Sequence, residues 1–421
     1  MFRFDLRALI LACTAGALCL AGASRANAEA QLLVDVATGK VLHAENATYP
    51  WYPASVTKIM TAYTTLREVK AGHITMNTLL TVTPDAVAQQ PTKMGLKLGT
   101  QVTVDNALKM MMVKSANDIA VTIAEGVGGS IEGFADLMNA NARRLGMTQT
   151  SYVNPNGLPA EGQITSARDL AILARTLILE FPQYGDYWHI SSIRYGNRVL
   201  HNYNKLIDRY PGADGMKTGF ICASGYNVVA TATRNGRRLI AVILGAYSGA
   251  SRSQKAAQLL ENGFNNGGLS WLTPSLGTVD ALAPIDAQPA NLRDEMCGPH
   301  RRKPPSEDND EEESTAATGD TNSSQPLSSQ TFALTNAKPA KYVLGPAVDT
   351  TPPVVVFTGP ANHPDTADQT ASAPAKAKHK KKAVAKSDAT EPAAAKPAAA
   401  KPAKSAKHAK PAKPKAAAAN Q

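Results

Sequence analysis

The sequence predicts a mixed α/β domain of the α+β type, in which one antiparallel sheet is covered by helices and joined to a helical cluster. Two stretches, Gln31–Asn46 and Gly215–Ala246, have short apolar runs separated by turn signals, which is typical of strands. The sequence between them repeats apolar residues at helical spacing. Because strands at both ends enclose the helices, we expect one sheet built from both termini. Beyond Pro284 the chain is rich in proline and charge, which predicts a disordered C-terminal tail.

The N-terminal residues have the pattern of a secretory signal peptide. Arg3 and Arg7 precede an apolar run from Ala8 to Gly22, and Ala26-Asn27-Ala28 offers the small residues that a signal peptidase requires. The apolar run is short for a helix that spans a bilayer. We therefore expect residues 1–28 to be removed and the mature protein to be exported, with an uncleaved N-terminal anchor as the alternative.

The first elements of the domain are a hairpin and a helix. Gln31–Asn46 carries two apolar runs around Thr38-Gly39, which predicts a β-hairpin. From Ser55 to Ala71, apolar or small residues recur at helical spacing and end at Gly72, as a helix would. Ser55 therefore lies at the start of the first predicted helix.

Four further helices are predicted before the pattern changes. Thr103-Val104-Asp105 is predicted to cap the first of them, and Ser166 with Asp169 forms a capping box on the fourth. The second begins at Asn117, so that Ser115-Ala116-Asn117 lies at the junction with the helix before it. Their predicted ranges are Thr103–Val113, Asn117–Val127, Ser130–Gly146 and Thr165–Pro182.

The remaining part of the domain is predicted to be strands and one helix. Gly215–Phe220 and Gly225–Ala246 are typical of successive antiparallel strands, and the Asn235-Gly236 turn divides the second stretch into a hairpin. Ser251–Phe264 is predicted to be a closing helix.

The charge of the chain is concentrated in its C-terminal tail. The net charge of the 421 residues is +10, but the stretch from Lys376 to Lys415 holds 13 lysines and only two acidic residues, which leaves −1 for the rest. A nearly neutral domain does not indicate a nucleic-acid partner. We predict a signal peptide at 1–28, a catalytic domain at 29–275, a Pro-rich and acidic linker, mostly disordered, at 276–375 and a basic disordered tail at 376–421.

Only two cysteines, Cys222 and Cys297, remain after the predicted cleavage. Two cysteines are not the dense framework that holds small secreted domains together. Cys297 lies in sequence with weak structural signals, so the sequence leaves open whether the two pair.

The chemistry suggested by Pro53-Ala-Ser-Val-Thr-Lys58 depends on the spacing of its serine and lysine. On a helix, Ser55 and Lys58 lie on one face within hydrogen-bonding reach. A serine hydroxyl becomes a strong nucleophile when a neighbouring base takes its proton, and a lysine serves as that base if burial or nearby positive charge lowers its pKa. Such a pair occurs about once by chance in a chain of this composition. The alternative is that Ser55 caps a helix and Lys58 is a solvated surface residue.

Two further motifs in order support the catalytic interpretation. Ser115-Ala116-Asn117 follows at a helix junction, and Lys217-Thr218-Gly219 begins a strand; each tripeptide occurs once. With Ser55 and Lys58 they are similar to the three motifs of penicillin-binding proteins and serine β-lactamases. The flanking sequences, including "PASVTKIMTAY" and "VKSANDIAVTIAEGVGG", resemble the low-molecular-weight D-alanyl-D-alanine carboxypeptidases over about Gln31 to Leu272.

The resemblance implies an acyl-enzyme mechanism at this site. It implies that Ser55 attacks the carbonyl between two terminal D-alanines, that Lys58 is its base, and that Ser115 passes a proton to the leaving D-alanine. The substrate would be a peptidoglycan peptide that ends in D-Ala-D-Ala, and β-lactams would be inhibitors. The residues implied to bind the substrate are Asn117, Lys217, Thr218, Gly219, Phe220 and Arg252, with the backbone N–H groups of Ser55 and Phe220 as the oxyanion hole. Arg252 has the alternative of a surface arginine on the closing helix.

Three other functions are alternatives to this one. An endopeptidase that cuts D-alanyl crosslinks would use the same chemistry, a β-lactamase would require a deacylating glutamate that is not evident, and a wall-binding scaffold would need no complete catalytic set. No cofactor or metal is expected, since His-Glu-x-x-His is absent and the histidines form no ligand-spaced cluster. We expect a periplasmic protein whose basic tail, which lacks an apolar stripe, associates with anionic wall polymer or the membrane surface.

Overall fold

The computed structural model describes residues 29–265, 275–299, 342–348 and 351–362. The predicted signal peptide, the acidic run at 307–313 and the basic tail at 376–421 lie outside these residues. Within them, no helix is both long and apolar enough to cross a membrane.

The core of the fold is a five-stranded antiparallel sheet with the order β2-β1-β9-β8-β7. The N-terminal strand β1 lies beside the C-terminal strand β9, with Ala30 opposite Leu244, so the sheet is built from both termini as the sequence predicts. The strands are β1 (Ala30–Asp35), β2 (Val41–Glu45), β3 (Leu79–Thr81), β4 (Gln101–Thr103), β5 (Ser192–Tyr195), β6 (Arg198–His201), β7 (Ala213–Ile221), β8 (Gly225–Arg234), β9 (Arg237–Ala246) and β10 (Val354–Val356).

The turn between β8 and β9 shows why this hairpin forms. Asn235 and Gly236 have φ angles of 50° and 76°. Asn and Gly adopt such left-handed angles at low cost, and two of them in succession match the twist of the flanking strands. The predicted hairpin is therefore confirmed, and β8 and β9 pair along almost their full length.

The helices form a cluster beside the sheet and a cover over it. Helices α6 and α7 pack against strand β9, whereas α1, α3, α4 and α5 pack on one another. Their bounds are α1 (Lys58–Lys70), α2 (Pro84–Ala88), α3 (Val104–Lys114), α4 (Asn117–Gly128), α5 (Ile131–Arg144), α6 (Ala167–Glu180), α7 (Gly249–Asn265) and α8 (Arg293–Cys297). Short 3₁₀ helices cover Ala54–Thr57, Pro182–Trp188 and Val279–Ala281.

The predicted helix caps are present. The Thr103 hydroxyl accepts a hydrogen bond from the backbone N–H of Asn106, and the Ser166 hydroxyl accepts one from that of Asp169. Each cap satisfies an N–H group that has no partner inside its helix. The starts of α3 and α6 therefore follow from the local sequence.

Parts of the predicted linker pack against the domain, which differs from the expectation of a mostly disordered segment. We call residues 342–348 and 351–362 the C-terminal strap. Its strand β10 pairs in parallel with β5, Val356 is buried, and the backbone N–H of Phe357 donates to Asn106 Oδ1. A three-residue strand has little stability alone and forms only where a partner edge is available, so its local sequence carries a weak signal.

The pairing of the two cysteines is also resolved by the fold. Cys222, just after β7, forms a disulfide with Cys297, the last residue of α8, across 75 positions in sequence. The segment 275–299 is therefore attached to the sheet rather than part of a free linker.

Candidate active site

Ser55 lies in a short 3₁₀ helix, not at the start of an α-helix. The 3₁₀ helix spans Ala54–Thr57 and α1 begins at Lys58. The prediction that an α-helix begins at Ser55 is therefore wrong, since the α-helix begins three residues later. No side-chain cap is made at either start, which rules out the alternative of Ser55 as a helix cap. Ala54 holds a φ angle of 50°, a left-handed conformation that is uncommon for alanine and recurs near functional sites.

Lys58 is buried and connects the nucleophile to two other elements. Its side chain is 0% exposed, which overturns the alternative of a solvated lysine. Nζ lies 2.9 Å from Ser55 Oγ, 2.7 Å from Asn117 Oδ1 and 2.8 Å from the carbonyl oxygen of Asn156. The carbonyl oxygen of Asn156 can only accept, and so can Asn117 Oδ1 as assigned, whereas the serine hydroxyl can also donate. Of these three oxygen atoms, the one that can give a proton to the amine is therefore that of Ser55.

The junction of α3 and α4 presents the second predicted motif. Ser115 ends α3 with a φ angle of 58°, and Asn117 is the first residue of α4. The Ser115 hydroxyl is buried and makes no hydrogen bond. An unpaired buried hydroxyl costs free energy unless a ligand satisfies it. Asn117 donates through Nδ2 to the carbonyl of Gln90, which fixes the orientation of its amide toward Lys58.

Asp118 holds the loop that covers this junction, and sequence reasoning did not identify it. Its carboxylate accepts hydrogen bonds from the backbone N–H groups of Met94, Gly95 and Ile119. Burial raises the pKa of Asp118, and those three N–H groups reduce the rise without cancelling it. An aspartate after a helix N-terminus is a common cap in sequence, so only the position of the loop reveals what it binds.

Strand β7 brings the third motif against Ser55. A Cβ atom at Gly219 would lie 2.6 Å from the backbone N of Ser55 and 2.9 Å from that of Val56, distances that no side chain can occupy. Glycine is therefore required for the strand to approach the nucleophile, as expected for glycine at a binding edge. Lys217 and Thr218 are both 2% exposed on the same strand, and Lys217 Nζ donates to the carbonyl of Thr218.

Phe220 and Arg252 share one aromatic neighbour. The ring centroids of Phe220 and Tyr226 are 4.3 Å apart, and the Arg252 guanidinium lies 5.6 Å from the Tyr226 centroid. Arg252 is only 3% exposed and its Nη1 contacts the carbonyl of Asn227, the residue opposite Gly219. The alternative of a surface arginine is therefore wrong.

Two asparagines that were not predicted complete the site. Asn156 supplies a carbonyl to Lys58, and its side chain donates to Gln89 Oε1. Asn227 donates through Nδ2 to the carbonyls of Tyr52 and Pro53, which connects β8 to the segment that leads to Ser55. Both contacts join residues about 100 or more positions apart, for which a single sequence carries no signal.

The structure thus joins the predicted residues into one arrangement. Ser55, Lys58 and Asn117 are connected by hydrogen bonds, Ser115 lies two residues from Asn117, and Gly219 brings β7 against the 3₁₀ helix. Among the described residues, no group of three His, Cys, Asp or Glu side chains could hold a metal ion.

The fold is that of the penicillin-binding proteins: penicillin-binding protein 5 of Haemophilus influenzae superposes with a TM-score of 0.54 at 33% identity, over 56% of this chain and 70% of that one. The chain belongs to the peptidase S11 family, the D-alanyl-D-alanine carboxypeptidases, whose family model matches residues 19–248. It is 38% identical over 245 residues to D-alanyl-D-alanine carboxypeptidase DacC of Escherichia coli K12, an alignment that covers 56% of this chain and 61% of DacC.

Solved structures agree with this placement. The D-alanyl-D-alanine carboxypeptidase DacD of Francisella tularensis superposes with a TM-score of 0.55 at 32% identity, over 56% of this chain and 70% of that one. Penicillin-binding protein D2 of Listeria monocytogenes, solved with ampicillin bound, has a TM-score of 0.50 at 28% identity, over 57% of this chain and 97% of that one. The solved structures thus match a little over half of this chain, and the chain spans about three fifths of the length of the curated relatives it matches.

Proposed function

We propose that this protein removes the terminal D-alanine from peptidoglycan peptides that end in D-Ala-D-Ala, through an acyl-enzyme on Ser55. The observation that carries the proposal is the hydrogen bond of 2.9 Å between Ser55 Oγ and the buried amine of Lys58. Burial disfavours the ammonium form of an amine, and a neutral amine is what a general base requires. The family membership and the penicillin-binding relatives support the same chemistry.

In the acylation step, Lys58 takes the hydroxyl proton as Ser55 Oγ attacks the carbonyl carbon of the penultimate D-alanine. The backbone N–H groups of Ser55 and Phe220 stabilise the oxyanion that develops. The close approach of β7 at Gly219 supports this role, because it brings the two backbones together at the nucleophile. The C–N bond then breaks and the acyl-enzyme remains.

The leaving D-alanine takes a proton from Ser115, whose buried and unpaired hydroxyl is available to a substrate amine. Ser115 in turn receives the proton that Lys58 took from Ser55, so that Lys58 is neutral and Ser115 is a hydroxyl again when the D-alanine has left. Lys217 and Thr218 bind the terminal carboxylate, and Arg252 adds positive charge behind the strand at the level of Gly219. Asn117 holds the peptide amide of the substrate while its Oδ1 keeps Lys58 in position. Water then releases the shortened peptide from Ser55.

The test uses a fluorescent penicillin and a pentapeptide that ends in D-Ala-D-Ala. Wild-type protein should be labelled and should release D-alanine, and Ser55→Ala should lose both. Ser151→Ala is the matched control, because Ser151 is exposed and should keep both activities. Labelling without D-alanine release, or release that survives in Ser55→Ala, would refute the proposed function. Rapid turnover of the penicillin instead would indicate a β-lactamase.

We also propose that the protein works in the periplasm and that its basic tail associates with an anionic surface. The 13 lysines between Lys376 and Lys415 support this, since each lysine near an anionic surface contributes about 1 kcal/mol. Full-length protein should cosediment with purified sacculi or anionic vesicles, and a variant that lacks residues 376–421 should not. Equal sedimentation of the two proteins would refute the role of the tail.

A further inference from the structure

The disulfide joins the strand of the active site to a helix of the C-terminal segment. Cys222 follows β7 directly and lies two residues after Phe220, whose backbone N–H belongs to the proposed oxyanion hole. Cys297 ends α8, a helix of five residues. Helices this short are not stable by themselves, so α8 depends on its attachments.

The turn between β7 and β8, residues 222–224, is held from two sides. On the side of α8, the backbone N–H of Leu292 donates to the carbonyl of Ala223, and Met296, which is 3% exposed, packs over Gly225. On the other side, Trp51 Nε1 donates to the carbonyl of Ser224 at 3.0 Å. Trp51 itself is anchored through backbone hydrogen bonds with Thr165.

The contacts on the two sides of this turn involve chain segments that carry the two backbone N–H groups of the proposed oxyanion hole. One half is Phe220, two residues before Cys222 on β7. The other is Ser55, four residues after Trp51, and Gly219 lies against its backbone. A displacement of the turn would therefore change the distance between the two N–H groups. Preorganised donors lose much of their effect when they are misplaced by about 1 Å.

We propose that the Cys222–Cys297 disulfide is a positioning clamp for the active site, so that opening it slows acylation of Ser55 while the rest of the domain stays folded. The proposal rests on the proposed function. Opening requires a dithiol reductant: its two thiols supply two electrons and two protons, the S–S bond breaks into two thiols, and the reductant becomes a disulfide. The segment 292–297 then keeps its non-covalent contacts, among them those of Leu292 and Met296, but loses its covalent bond to the residue that follows β7.

The first experiment measures acylation by fluorescent penicillin in single-turnover mode. Full-length protein is compared in its oxidised form, after reduction with dithiothreitol, and after reoxidation; the double variant Cys222→Ser/Cys297→Ser is measured beside it. Reduction should lower the acylation rate at least tenfold, and reoxidation should restore it. The double variant should acylate slowly with or without the reductant. Val356→Ala is the control, because it weakens the domain at the distant strap and should acylate at the wild-type rate.

The second experiment is hydrogen exchange, which does not depend on activity. Reduction should speed exchange in peptides that cover residues 217–226 and 292–297, and leave the sheet at β1 and β9 unchanged. Unchanged exchange in both peptides, or equal acylation rates in the two redox forms, would refute the clamp. Faster exchange throughout the domain would refute it as well, since the disulfide would then hold the whole fold. An oxidised protein that takes no label would refute the proposed function, while exchange would still decide the clamp.

Discussion

At the scale of single residues, the environment of Lys58 decides the chemistry. Its amine contacts oxygen atoms of Asn117, Asn156 and Ser55, and of these three the hydroxyl of Ser55 is the one that can give it a proton. In the proposed mechanism, the two asparagine oxygens orient the amine, and the amine takes the proton of Ser55. The sequence pairs Ser55 with Lys58, but the other two partners come from distant segments.

We predict that Lys58→Arg will abolish most acylation although arginine is also a long basic side chain. Arginine does not lose its proton in proteins, so the general base disappears, and such a base contributes about 10²- to 10⁴-fold. Single-turnover labelling with fluorescent penicillin measures the loss. Lys97→Arg, at an exposed position, is the control. A Lys58→Arg variant that acylates within threefold of wild type would show that Lys58 is not the base.

Gly219 provides a second prediction at this scale. Gly219→Ala should reduce penicillin labelling by at least tenfold, because its Cβ would lie 2.6 Å from the backbone N of Ser55 and must push β7 away. Gly185→Ala is the matched control, since no atom lies within 4 Å of the position its Cβ would take. Similar labelling of the two variants would mean that β7 does not have to approach Ser55 so closely.

At the scale of elements, the helix starts and the hairpins are determined by residues close together in sequence, whereas the C-terminal strap depends on a distant strand. Thr103 and Ser166 cap their helices where the sequence predicts, because a cap is a contact between neighbours in the chain. Strand β10 forms only because β5 offers an edge some 160 positions earlier. A short apolar run without such a partner would stay unpaired.

We predict that the strap contributes to the stability of the domain through Val356. Val356→Ala should lower the free energy of unfolding by about 1.5–2.5 kcal/mol, since Val356 is 1% exposed. Val355→Ala, on the same strand but 51% exposed, should change it by less than about 0.5 kcal/mol. Urea unfolding of both variants measures the difference. If both variants match wild type, β10 does not dock in solution.

An ion pair between β1 and β9 should make the stability of the domain depend on acid. Burial raises the pKa of Asp35, but hydrogen bonds from Arg237 and Thr38 outweigh it, so the net pKa is lowered. A lowered folded-state pKa stabilises the fold above the unfolded value, about 3.9, and this contribution is lost as pH falls through the folded value.

Asp35→Asn should therefore lower the free energy of unfolding by about 1 kcal/mol at pH 7, because Arg237 is partly exposed, and by almost nothing once the pH is below the folded-state pKa of Asp35. Thermal unfolding of wild type and variant across this pH range measures the difference between their free energies of unfolding. Asp286→Asn, at an exposed position, should have the same free energy of unfolding as wild type at each pH. If the free energies of unfolding of wild type and Asp35→Asn differ by the same amount at all pH values, the ion-pair interpretation is contradicted.

At the scale of the whole molecule, the sheet joins the two ends of the domain. Strand β1 lies beside β9 although more than 200 residues separate them, and the sequence predicted this closure from the order of strands and helices. The helical cluster between them supplies α1 and α4, whose residues Lys58 and Asn117 are joined to Ser55 by hydrogen bonds, and α3, which ends at Ser115 two residues before Asn117. The three motifs therefore lie, in their order along the chain, on three different parts of the fold that contribute to the site.

The sequence by itself determined the class of fold, the six longer helices, the five strands of the main sheet and the candidate site residues Ser55, Lys58 and Asn117, which the structure joins by hydrogen bonds. These depend on periodicity, turn chemistry and caps, which act between neighbours, and on three motifs that resemble a known family. Ser55 and Lys58 are three residues apart, so their contact needs only one turn of chain.

Only the tertiary structure decided which distant groups complete the site. Asn156, Asn227 and Asp118 act through contacts with other segments, and Cys222 meets Cys297 only because α8 returns to the end of β7. Arg252 is buried because α7 packs against the sheet and Arg252 lies on the side of the helix that faces it. Such contacts depend on which surfaces meet when the core closes, and packing of this kind leaves no periodic signal in one sequence.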